Sequence, residues 1–330
     1  MVTFLSGGTG TPKLLDGAES HYSPDEITVI ANTGDDIVLG DLFISPDVDT
    51  VLYWAADMLD RDTWWGIADD SATTHAQLTE LQDATDVSTD PQYLSDQQQT
   101  AGHDLTHWRR FAALPEFMHI SDRDRAIHLY RSQQLKSGAS LTETTHQIAD
   151  ALDIDITVLP MANDPVASLI HTPSGVMHFQ EFWVARDGTP NVSDVEFRGG
   201  ESATLSSEVN DALTDTIIIG PSNPVTSIGP MLAIDGFQEA LRSTTVIAVS
   251  PFIGSDVFSG PAAKLMDAVG LSPSSEGLPD AYPFADGFVL DESDPRNIEP
   301  PTIRTDITID SPTDASRILT AIESLLNRLK

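Results

Sequence analysis

Cysteine is absent from the 330 residues, which excludes disulfides, thiol nucleophiles and iron–sulfur ligation. Lysine is nearly absent: Lys13, Lys136, Lys264 and Lys330 are the whole set, beside 13 arginines. Against these 17 cations stand 51 Asp and Glu, a formal charge of −34. A field of that sign repels phosphate backbones and anionic lipid, so neither nucleic acid nor a membrane surface is expected as a partner. No apolar run approaches the roughly 18 residues of a membrane span. The opening residues lack the basic leader and the length of a signal peptide. Disorder does not account for the charge, because 40% of the residues are hydrophobic and are set in patterned runs. The composition predicts a soluble, cytoplasmic protein adapted to concentrated salt. At ~1 M salt the Debye length is about 3 Å, and the self-repulsion of such a surface is screened.

Short β-branched runs alternate with helical stretches. Strands are predicted over 2–5, 27–31, 156–159, 216–219 and 246–249, and amphipathic helices over 48–59, 122–134, 141–152 and 315–329. This alternation predicts a single α/β domain over 1–330, with a mostly parallel sheet and helices on both faces. Two stretches break the pattern. Residues 82–115 are polar and read as an exposed insertion, while 169–197 reads as an antiparallel hairpin region turning at Thr172-Pro173-Ser174-Gly175.

The first strand runs into Gly7-Gly8-Thr9-Gly10-Thr11-Pro12-Lys13, with a helix expected from Leu14. Glycines at a strand end let backbone N–H groups approach phosphate oxygens, and a helix start favours negative charge. Neither the dinucleotide fingerprint nor the Walker A pattern fits, since Lys13 follows proline and stands where a third glycine would be required. Lysine opposes the dipole at a helix N-terminus, and a bound anion would reverse that penalty. The second strand ends in Asn32-Thr33-Gly34-Asp35-Asp36, and Ser45-Pro46-Asp47-Val48-Asp49 opens a helix. Asp47 reads as an N-cap. Asp35, Asp36 and Asp49, near strand carboxyl ends and facing a phosphate loop, form a candidate Mg²⁺ site. Further loops at Gly220-Pro221-Ser222-Asn223-Pro224 and Ser259-Gly260-Pro261-Ala262-Ala263-Lys264 repeat the Gly-Pro device, the latter with a second lysine at a helix start. His103 and His107 have helical i, i+4 spacing but no glutamate between them, which speaks against a zinc motif. No G-x-S-x-G elbow supports a hydrolase. Trp64 and Trp65 read as core or interface.

These loops, with Leu159-Pro160-Met161, His178-Phe179-Gln180-Glu181-Phe182 and Ser227-Ile228-Gly229-Pro230, resemble in order the 2-phospho-L-lactate transferase family. The acidic composition matches a haloarchaeal member. The resemblance implies a Rossmann-like fold, a homodimer and Mg²⁺ dependence. It implies transfer of a phospholactyl group from lactyl-2-diphospho-5′-guanosine, a guanylylated three-carbon acid, to the deazaflavin Fo, giving coenzyme F-420-0 and GMP. Residues matching the guanosine-diphosphate contacts are Gly8, Thr9, Gly10, Thr11, Lys13, Asn32, Ser222 and Asn223; those matching Fo contacts are Asp49 and His119. At Ser121-Asp122-Arg123-Asp124 a serine replaces the family's glycine. Asp49 and Lys13 are the expected catalytic pair, Lys13 neutralising the diphosphate. Asp49 would act as base, orient the acceptor hydroxyl or hold the metal, and all three roles stay open. Rival readings are a non-catalytic nucleotide-sugar-binding regulator of the related gluconeogenesis-factor family and a nicotinamide dehydrogenase, the latter opposed by the failed fingerprint.

Overall fold

The computed structural model describes residues 1–85, 87–95, 107–254, 256–258 and 260–329. Seven strands build the main sheet: β1 (Val2–Ser6), β2 (Ile27–Ala31), β3 (Thr157–Pro160), β4 (Thr216–Ile219), β5 (Val246–Val249), β6 (Gly287–Asp291) and β7 (Thr302–Thr305). Their order is β7-β6-β5-β4-β1-β2-β3, and every pairing is parallel. Every residue of β1, β2, β5 and β6 is buried, and the first three read as largely apolar runs for that reason.

Alternate residues feed two cores. Phe4, Val29, Ile218, Ile247 and Val289 pack with α1 (Gly10–Leu15), α2 (Pro46–Ala55) and the carboxyl-terminal helix Pro312–Leu329. Leu5, Ile30, Ile219, Ala248 and Phe288 face the other way, onto Val209, Met231 and Phe237. Helices therefore cover both faces, and the fold is Rossmann-like α/β. The chain steps from β1 outward to β3, then returns to pair β4 against the other side of β1. The loops after β1 and β4 consequently meet at a topological switch point, where open α/β sheets bind ligands.

Two strands escape the sequence pattern: β6 is a short apolar run framed by glycine and aspartate, and β7 is a polar edge strand. The first helix begins at Gly10 and spans only six residues, so Lys13 sits in its last turn and not at its start. The 82–115 stretch also departs from expectation. His103 and the 97–99 glutamines lie outside the described residues, but Arg110–Phe111 is a buried strand paired with Ile37–Leu39. The latter pairs in turn with Leu42–Ile44. Residues 169–197 are antiparallel: Ala167–Thr172 lies between Gly175–His178 and Asp194–Arg198. Among the described residues, no helix is long and apolar enough to cross a membrane.

Candidate active site

The glycines after β1 and β4 serve mainly to let two loops interlock. A Cβ on Gly10 would lie 2.1 Å from the Pro221 carbonyl oxygen, and one on Gly220 would lie 2.2 Å from Thr11 Oγ1. Only Gly8 of this group needs its residue type for a positive φ, of 62°. Hydroxyls complete the seam: Ser222 Oγ donates to the Gly7 carbonyl at 2.7 Å and lies 2.8 Å from Thr11 Oγ1. On the other flank Asp47 accepts the Gly8 N–H and the Asn32 side-chain amide, both at 2.8 Å. Asp47 is thus no N-cap; Ser45 holds that place, Pro46 starts the helix, and Asp47 ties α2 to the glycine loop.

A cavity of about 450 Å³ opens beside this seam. Of the residues singled out by sequence, Gly8, Thr9, Gly10, Asp35, Asp49, His119, Ser222 and Asn223 line it. Thr11 and Asn32 are buried and hold the loops by the bonds above. Lys13 and Asp36 are not part of the wall. Lys13 packs 5.2 Å above the Trp64 ring and 5.3 Å from that of Phe258, where burial lowers its pKa. Lys264 donates to the carbonyls of Gly188 and Thr189, at 2.7 and 3.1 Å, and so serves a loop in the 169–197 region. The mouth is aromatic: Trp65 and Trp183 line it and are exposed, and His119 meets the Trp65 edge at 6.2 Å.

The three acids read as one metal site take separate places. Asp36 accepts from Ser45 at 2.7 Å and faces Arg109 at 3.3 Å; burial pushes its carboxyl to about 7. Asp35 lines the cavity, and its Oδ1 is buried without a hydrogen-bond partner. Burial and then the nearby Asp47 raise the Asp35 pKa well above the carboxylate range. Burial also lifts Asp47, to about 6. Asp49 is held bidentately by Arg131, whose Nη1 lies 3.0 Å from Oδ2 and whose Nη2 donates to Oδ1. His128 Nδ1 is 3.5 Å from the same carboxylate, its Nε2 is 3.1 Å from Asp124, and Tyr53 donates to Asp124 at 2.6 Å.

Arg131, His128 and Tyr53 were not legible as site residues. The helix Asp122–Lys136 sets Asp124, His128 and Arg131 at i, i+4 and i+7, one face, and all three are buried. A polar stripe at helical spacing was the available signal.

Residues 2–319 match the family model described as 2-phospho-L-lactate transferase CofD. The chain belongs to the 2-phospho-L-lactate transferase family. It is 59% identical over 329 residues to the 2-phospho-L-lactate transferase of Haloarcula marismortui, covering 100% of both chains. The Halobacterium salinarum relative of the same name is 56% identical over 99% of this chain and 98% of its own. That of Methanosarcina acetivorans is 43% identical over 88% and 85%. As a member of this transferase family the chain is an enzyme. A crystal structure of a UPF0052 family member from Bacillus halodurans superposes with a TM-score of 0.58 at 16% identity, covering 97% of this chain and 98% of that one. That likeness concerns the fold alone.

Proposed function

We propose that this transferase moves a phospholactyl group from lactyl-2-diphospho-5′-guanosine to the side-chain hydroxyl of Fo, releasing GMP and forming coenzyme F-420-0. The observation carrying this reading is the single cavity at the switch point, shared by the glycine loop, Ser222-Asn223 and Asp49. The loops would hold the guanosine diphosphate moiety. Asn223 Nδ2 supports this role, because it is a buried donor without a partner in a residue of the cavity wall. The exposed Trp65 and the nearby His119 offer a face for a planar ring at the mouth.

In the transfer a P–O bond forms to the Fo hydroxyl while the bond from phosphorus to the GMP oxygen breaks. Such reactions depend on positioning and charge neutralisation. Asp49, fixed by Arg131, would orient the attacking hydroxyl and take up its proton. Mg²⁺ fits this site through Asp35, a wall residue whose buried Oδ1 lacks any partner; both Asp49 oxygens are engaged by Arg131, and Asp36 is turned to Arg109 and Ser45. When bound, the ion would neutralise the diphosphate oxygens. We include a homodimer in this reading, supported by exposed Leu129 and Tyr130 on one helix and read by sedimentation in molar KCl.

Purified protein in molar KCl with Mg²⁺, Fo and lactyl-2-diphospho-5′-guanosine should yield coenzyme F-420-0 and GMP by mass spectrometry. Tight guanosine nucleotide binding without product would favour a regulator and overturn the reading.

A further inference from the structure

The turn at 32–36 separates two cavities. Asp35 lines the one already described, whereas Thr33 and Asp36 line a second, of about 280 Å³. Arg109, Arg110 and Lys136 also line the second, together with Asp36, Asp41 and Asp164, so cations and carboxylates are equal in number along its wall. Two of the three cations are neutralised. Arg109 faces Asp36 at 3.3 Å, and Lys136 faces Asp41 at 3.2 Å. Asp164, another wall residue, is engaged by the N–H and hydroxyl of Thr204.

Arg110 is the exception. It is 5% exposed, its side chain has no hydrogen bond or ion pair among the described residues, and its Nε is buried without an acceptor. Its backbone is fixed by strand pairing with Val38, so the guanidinium is delivered by a rigid element. The Thr33 hydroxyl is buried and equally unpartnered. A buried N–H donor left without an acceptor is costly to keep. The same sign, unpartnered buried polar atoms in wall residues, marks the first cavity at Asp35 and Asn223.

We propose that this second cavity binds a small oxyanion, a phosphate or a carboxylate group, on Arg110 and Thr33. The guanidinium fork matches two oxygens of either group, and a threonine hydroxyl donates to a third or shares one. The proposal is independent of the reaction assigned to the first cavity. Because one turn forms both walls, an occupant here would bear on the backbone that carries Asp35.

The test is equilibrium dialysis of the full chain in KCl with labelled inorganic phosphate or acetate, with guanosine diphosphate at saturation to fill the first cavity. One of the two anions should bind with one equivalent per chain, and which one binds names the group. Arg110→Met should weaken that binding by about tenfold or more, the worth of one charge-assisted hydrogen-bonded pair. Thermal unfolding reports whether this variant folds. Lys136 is half-exposed, and Lys136→Met should keep the fold while leaving Asp41 unpaired at the cavity, again weakening the anion. No binding of either anion to the wild type, or binding unchanged in the folded variants, overturns the proposal. If guanosine diphosphate itself fails to bind, the reading of the first cavity fails, and the comparison with Arg110→Met still decides this one.

Discussion

Arg131 is completely buried, and its two terminal nitrogens meet the two oxygens of Asp49. A carboxylate clamped this way has one orientation, which suits the proposed role of aiming at an acceptor hydroxyl. Asp49→Asn is expected to lower turnover by about a hundredfold or more with folding intact, the range for loss of a positioned acid–base group. Near wild-type rates would remove Asp49 from the mechanism.

Arg131→Met should behave differently. It strands a buried carboxylate, a change that costs about 3–5 kcal/mol of stability. In a double-mutant cycle its effect on rate should largely vanish in the Asp49→Asn background, because both act through one carboxylate. Additive losses would show that Arg131 contributes elsewhere.

The interlocked loops predict an intolerance to the smallest side chain. Gly220→Ala would place a methyl 2.2 Å from Thr11 Oγ1. Overpacking of this kind costs typically 1–3 kcal/mol, so chemical denaturation should show a loss of about 2 kcal/mol or more. Guanosine diphosphate affinity should fall as well. A variant as stable as wild type would mean the loops are looser than the structure shows.

His178 gives a pH dependence. It is fully buried, and burial, followed by the charge of Arg109, lowers its pKa from 6.5 to about 3. Between those values the unfolded chain binds a proton that the folded chain does not, so stability is lost as pH falls through that window. The slope is about 1.4 kcal/mol per pH unit at most for one group. In His178→Asn, whose Oδ1 can still accept the Gln180 N–H taken by Nδ1, the fall below pH 6.5 should be shallower.

Salt should raise stability and activity together. A chain of charge −34 repels itself in dilute buffer, and molar KCl screens that repulsion. Circular dichroism and turnover across a KCl series should rise in parallel. A flat response down to low salt would contradict the assignment of the acidic surface.

Much of the frame was written locally. β1, β2, β4 and β5 appear at or within one residue of their expected places, because strands buried on both faces must be apolar throughout. The glycine loop was legible for the same reason: a strand that stops at Gly7-Gly8 announces a close backbone approach. The helix start expected at Leu14 lies at Gly10, which moves Lys13 into the last turn of a six-residue helix; such boundaries follow from tertiary packing. Asp36 and Asp49 looked alike in sequence; their different fates come from Arg109 and Arg131, 73 and 82 residues away. Pairings over such distances leave no local trace.

The seam between the two loops has a consequence for how the molecule is assembled. Ser222 reaches the Gly7 carbonyl across 215 positions of chain, and Thr11 meets Ser222 across 211. No amino-terminal fragment ending before Ser222 contains the pocket floor, however well it folds, and a nascent chain cannot complete the pocket until β4 has docked beside β1. Any ligand held across the seam binds only a chain in which the two loops have met, so it stabilises that joined state by an amount that grows with ligand concentration over its dissociation constant. The pocket is thereby a reporter of completion: a chain that binds has joined its two halves.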